Sequence, residues 1–175
     1  MIFSIVYNPV LNQLWTAKKG QGAEYNGHKV RRERNILFVM EENILYQIHV
    51  SSCTQLNQAL LIQEMGASSP EKSAMVVKNL ENFIPKVRSI RAYGSAGINL
   101  AYLAMGAIDA YFEFGFHIWD YAGPLLLVKE AGGVGLDTSG GEVDYLARRV
   151  LACSTRQLAD QVLPHIVSIE LERDG

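Results

Sequence analysis

Up to about residue 60 the chain alternates short β-prone runs with turns. Beyond that point strand-like runs alternate with stretches at helical spacing. Ile2 to Tyr7 reads as a strand, Asn8-Pro9 as a turn, and Leu14-Trp15-Thr16-Ala17 as the returning strand of a hairpin. Lys18 to Ala23 and Asn26-Gly27 carry turn chemistry, and Asn-Gly favours a tight hairpin. The glycines at 20 and 22 have the look of a phosphate cradle, but no helix follows them, so turns of a β-meander are the preferred reading. Further on, Asn35 to Met40 and Ile44 to Ile48 flank the polar Glu41-Glu42-Asn43. That pattern fits a hairpin about the polar centre or a single helix.

From residue 60 the order is clearer. Leu60-Leu61-Ile62 predicts a buried strand. Ser69-Pro70-Glu71 predicts a helix start, with Met75, Val76, Leu80, Phe83 and Ile84 as its apolar face before Pro85. Val87 to Ala92 reads as a strand, and Gly94-Ser95-Ala96 as a turn into a helix from Ile98 to Met105, ended by Gly106. Ile108 to Phe112 is a further strand. The stretch from Trp119 to Gly133 then reads as helix start, buried helix and glycine C-cap, before a short strand at Val134. A strand over Val150-Leu151-Ala152 and a helix from Thr155 to Ile166 complete the chain. Strands alternating with helices predict an α/β layered fold in one domain.

Asp120 stands where the first helical N–H groups are free and the helix dipole is positive. A carboxylate there either caps the helix or faces a cleft and holds a cation.

Composition narrows the function. The 175 residues suffice for one compact core, and the net charge is −2. The only tight basic cluster, Arg31, Arg32 and Arg34, is interrupted by Glu33, which argues against nucleic acid. No apolar run approaches a membrane span, and the N-terminus lacks a basic leader. Cys53 and Cys153 stand alone, as reduced thiols do. A cytoplasmic address and no membrane partner are the expectations.

Three segments then act together: Ile108 to Glu113, His117-Ile118-Trp119-Asp120, and Glu130-Ala131-Gly132-Gly133. They resemble the C-terminal signature of the inositol monophosphatase family, whose members remove phosphate from inositol monophosphates with magnesium. The resemblance implies the C-terminal portion of that family's α+β layered sandwich, truncated at its N-terminus. It lapses over residues 31–49, read here as an insertion of the kind alternative splicing produces.

The resemblance also implies roles. Asp120 matches the family's metal-ligating aspartate, close to the substrate hydroxyls, and is therefore the expected catalytic residue through a magnesium ion. Glu113 matches a carboxylate that accepts hydrogen bonds from the inositol ring. Gly94, Ser95 and Ala96 match a turn lining that ring, where the family commonly has Gly-Thr-Ala. Inositol monophosphate is the implied substrate and a homodimer the implied assembly. His117 is expected to be packed rather than a general base, Glu130 and Asp109 to be structural, and Asp137 to Gly141 to be a turn.

The family's Asp-Pro-hydrophobic-Asp-Gly-Thr motif, which supplies most metal ligands, is absent, so the magnesium site is expected to be incomplete. Two outcomes follow from this reading. The chain is a phosphatase of the family, or it is an inactive form that acts by association with full-length subunits. Gly94 to Ala96, Glu113 and Asp120 are expected to share one cleft, because strand ends and helix starts in such folds meet at one sheet edge.

Overall fold

The computed structural model describes residues 1–26, 47–66 and 68–175, together with the strand backbone of 30–33 and 36–39. Strands β1 (Phe3–Asn8), β2 (Gln13–Lys18) and β3 (Ala23–Tyr25) form an antiparallel meander, as their turn residues predict. Its inner face presents Ser4, Trp15, Ala17 and Ala23, all buried. The turn glycines cradle an anion, but one supplied from within the chain. Gly20 N–H donates to Glu130 Oε1 at 2.9 Å and Gly22 N–H to Glu130 Oε2 at 3.0 Å. Those hydrogen bonds hold the Glu130 carboxyl below its usual range. Glu130 is structural, and the meander reading of the glycines stands.

Strands β4 (Val30–Glu33) and β5 (Ile36–Val39) pair antiparallel. The first apolar run of the 31–49 segment is thus a strand, but its partner precedes it. The expected hairpin about Glu41-Glu42-Asn43 lies outside the described residues. Gln47 and Ile48 already belong to the body: Ile48 is buried, and its N–H donates to Ala23 C=O at 2.8 Å.

A five-stranded sheet follows in the order β7 (Ser89–Arg91), β6 (Leu60–Gln63), β8 (Ala110–Phe114), β10 (Arg149–Cys153) and β9 (Val134–Leu136). β7, β6 and β8 run parallel, and β8, β10 and β9 antiparallel. Side chains alternate across this sheet. Ile62, Tyr111 and Ala152 join one core with Trp15, Leu100 and Leu125, whereas Leu61, Phe112 and Leu151 join another with Met75, Phe83 and Leu158. Helices α2 (Ala96–Ala104) and α3 (Ile118–Glu130) are therefore sandwiched between the two sheets. Helices α1 (Pro70–Phe83) and α4 (Arg156–Val162) cover the far face. Four layers result: sheet, helices, sheet, helices.

Helix α1 starts as read, with Ser69 Oγ accepting from Lys72 N–H at 3.2 Å. Ile84, placed by periodicity on its apolar face, is 65% exposed, because the helix ends at Phe83 and the next residue swings to solvent. The last helix stops at Val162 and tightens to a 3₁₀ turn over Leu163–His165, where Pro164 sits. Asp137 to Gly141 is a turn, closed by Asp137 N–H donating to Gly141 C=O at 3.0 Å.

Candidate functional site

Because β6, β7 and β8 are parallel, their C-terminal ends meet at one edge, and α2 and α3 both start there. Gln63 pairs with Phe112, so Glu64 leaves the end of β6 beside Glu113, which is still in β8 opposite Val150 of β10. The turn after β7 brings Tyr93, Gly94 and Ser95 to the same edge. Gly94 has a φ of +76°, a left-handed conformation that glycine adopts without strain.

Glu113 is oriented by Tyr111, two residues earlier on the same strand face, whose hydroxyl donates to Glu113 Oε2. Burial raises the Glu113 carboxyl above the usual range, and the negative charges of Glu64 and Asp120 add to the rise. The Tyr111 hydrogen bond and the Lys72 ammonium oppose it. Lys72 is itself 8% exposed, and a Cβ added at Gly115 would lie 2.9 Å from its Nζ, so glycine at 115 keeps room for the ammonium.

Helix α3 begins at Ile118, one residue before the stretch from Trp119 that the sequence reading gave as its start. His117 is the N-cap residue and Asp120 the third residue inside the helix. Asp120 does not cap from the N-cap position. Its Oδ2 reaches back to accept from His117 N–H at 2.8 Å, the carboxylate half of a capping box. Its Oδ1 accepts no hydrogen bond among the described residues. Pro124 lacks the N–H that would otherwise bond the Asp120 carbonyl.

His117 is packed, as its aromatic surroundings suggested. Its ring stacks on Trp119 at 4.6 Å between centroids, and its Nδ1 lies 2.7 Å from Asp174 Oδ1. Asp174 Oδ2 also accepts from Ile118 N–H at 3.0 Å, so the C-terminal tail fastens the start of α3. Ser95 is the N-cap of α2, its Oγ accepting from Ile98 N–H at 3.5 Å. Asp109 is structural, with Ser51 Oγ at 2.5 Å and Leu60 N–H at 2.7 Å on its two oxygens.

Glu64 is the member that sequence reasoning missed. Its Oε1 accepts from Tyr93 N–H and Gly94 N–H, each at 2.9 Å, and from Asn99 Nδ2 at 2.7 Å. The only signal available was a carboxylate directly after a buried strand run.

The edge therefore gathers Glu64, Glu113 and Asp120 with the Gly94–Ser95–Ala96 turn. Such a set offers acceptors to the hydroxyls of a polyol. It does not make a magnesium site: among the described residues no three His, Cys, Asp or Glu side chains are placed to hold a metal ion together. Asp120 brings one carboxylate, half of it engaged by the helix cap. The residues present do not fit the ion on their own.

The family model described as "Inositol monophosphatase family" matches residues 1–171. The chain belongs to the inositol monophosphatase family. Human inositol monophosphatase 1 is 38% identical over 174 residues, covering 98% of this chain and 56% of that protein. Human inositol monophosphatase 2 is 34% identical, covering 98% and 54%. Among solved structures, the extragenic suppressor protein suhB from Bartonella henselae superposes with a TM-score of 0.78 at 26% identity, covering 94% of this chain and 56% of that one. The Thermotoga maritima IMPase gives 0.75 at 27%, covering 94% and 55%. The family's fold is that of this chain. The chain spans slightly more than half the length of the curated relatives it matches.

Proposed function

We propose that this chain carries the inositol-recognising side of a family phosphatase site. The observation that carries the reading is Glu113, a mostly buried carboxylate aimed by Tyr111 at the edge where the Gly94 turn and Asp120 also end. In the proposed complex Glu113 accepts hydrogen bonds from ring hydroxyls and the Gly94–Ser95–Ala96 turn lines the ring. Asp120 places negative charge beside the phosphate-bearing oxygen. The reaction class is hydrolysis of a phosphate monoester, in which water attacks phosphorus and the inositol oxygen leaves with the bond to phosphorus broken. Magnesium supplies charge neutralisation in that chemistry. With no metal-holding group among the described residues, turnover in this reading draws carboxylates from elsewhere.

Calorimetric titration with inositol 1-phosphate and magnesium tests the reading. Saturable binding is expected, weakened roughly tenfold or more by Glu113→Gln, which loses the charged acceptor. Absence of binding, or binding indifferent to Glu113, overturns it. The same variant should be the more stable protein at neutral pH. The folded Glu113 carboxyl is raised above its ordinary value of 4.5, so its ionisation costs stability progressively as pH rises from that value to the folded one, and in full above it. The gain from Glu113→Gln should be absent below about pH 4 and grow as pH rises through that window, readable as the difference in thermal midpoints.

A second reading, association with subunits of the family, has its own observation. The outer face of the meander shows Phe3, Ile5 and Tyr7 at 50, 59 and 53% exposure, on β1, which is an edge strand among the described residues. An apolar stripe on an open edge is a pairing surface. We infer that a family subunit, or a second copy of this chain, covers it.

A further inference from the structure

We propose that Glu64 is a positioning residue for the Gly94–Ser95–Ala96 turn, fixing the backbone that lines the polyol. This rests on the reading of the site given above. Apart from the Tyr93 ring, edge-on to Tyr102 at 5.4 Å between centroids, and the Asn99 N–H donating to Ser95 C=O at 2.9 Å, little else holds the turn. Tyr93 is 50% exposed, and a Cβ built on Gly94 would meet nothing within 4 Å, so side-chain packing does not select its left-handed φ of +76°. Ser95 closes onto α2 with a hydrogen bond of 3.5 Å, at the long limit of such contacts. Glycine without packing is the residue most free to leave a single conformation.

Against that freedom stands one carboxylate oxygen. Glu64 Oε1 collects two successive backbone N–H groups, Tyr93 and Gly94, and the amide of Asn99. Asn99 is fully buried on α2, so the third bond ties the carboxylate to a rigid helix rather than to another mobile loop. Glu64 itself follows directly on β6, in the middle of the parallel strands. It thus links a central strand, the turn and the helix through charge-assisted bonds, the stronger class of hydrogen bond. It also stands next to Glu113 at the strand ends, so the group that sets the turn neighbours the group proposed to hold the ring.

Amide hydrogen exchange by NMR on the full chain, with inositol 1-phosphate titration alongside, tests the proposal. Glu64→Ala should speed exchange at Tyr93 and Gly94 by roughly 10-fold or more and weaken binding to a similar degree, because each charge-assisted bond lost is of that order. Glu64→Gln, which keeps an acceptor oxygen, should recover part of both. Glu64→Asp keeps the charge, draws it back by one methylene, and should show a smaller loss. It serves where the alanine variant does not fold. A structural role alone would lower the thermal midpoint and leave the affinity of the folded protein unmoved. Unchanged exchange at both amides overturns the proposal, as does faster exchange with wild-type affinity. If the wild-type chain binds no inositol 1-phosphate, the proposed function falls. The exchange data then decide alone: lost protection upholds the positioning of the turn, and retained protection rejects it.

Discussion

Phosphate release from inositol 1-phosphate should stay at background for this chain alone. It should appear when the portion of human inositol monophosphatase 1 that lies outside the matched region is added to it. In that mixture Asp120→Asn should lower the restored rate by roughly 100-fold or more, the scale of losing a charged group beside the reacting phosphate. The expectation follows from two observations. Among the described residues no three His, Cys, Asp or Glu side chains are placed to hold a metal ion together, and the chain covers 56% of that relative. Asparagine at 120 retains an oxygen to accept the His117 N–H, so the start of α3 and the thermal midpoint should change little. Phosphate assays and melting curves on the same samples separate the two roles. Activity of the chain by itself, or a restored rate that ignores Asp120→Asn, would refute the division of the site.

Asp109→Ala should be among the most destabilising single changes, costing about 3 kcal/mol in urea denaturation. The side chain is buried at the entry to β8 and serves two donors from separate segments, Ser51 Oγ and the Leu60 N–H. Alanine leaves both without a partner where little water reaches them, and an orphaned buried donor costs more than its hydrogen bond contributed. Asp109→Asn keeps one acceptor and should cost less. Arg88, 4.0 Å away and mostly exposed, adds little to either figure. A loss below about 1 kcal/mol for the alanine variant would mean that water replaces the carboxylate.

The layered fold was legible in the sequence because its signals are local. Ser69-Pro70-Glu71 starts α1, and the apolar spacing that follows returns as Met75, Val76 and Phe83 in one core. The start of α3 was misplaced by ranking alone. Asp is a commoner N-cap than His, yet the backbone enters the helix at His117 and uses Asp120 from inside. Glu64 and Glu130 expose the deeper limit. Glu64 acts on groups 29 to 35 positions away, and Glu130 on glycines 108 and 110 positions away. No periodicity or spacing encodes a carboxylate whose partners are set by how strands and helices stack.

The two glycines that end α3 are not equivalent. A side chain at Gly132 would meet nothing within 4 Å, whereas at Gly133 a single carbon would sit 2.7 Å from Val128, 2.9 Å from Val50 and 3.0 Å from the Cys153 carbonyl. Gly133 is kept by sterics, at the seam between the helix and β10, and Trp119 at the other end of the same signature is 72% exposed. The two ends therefore answer to different constraints. Any folded form of the chain meets the steric limit at Gly133, whereas a change at Trp119 would open no cavity in the core.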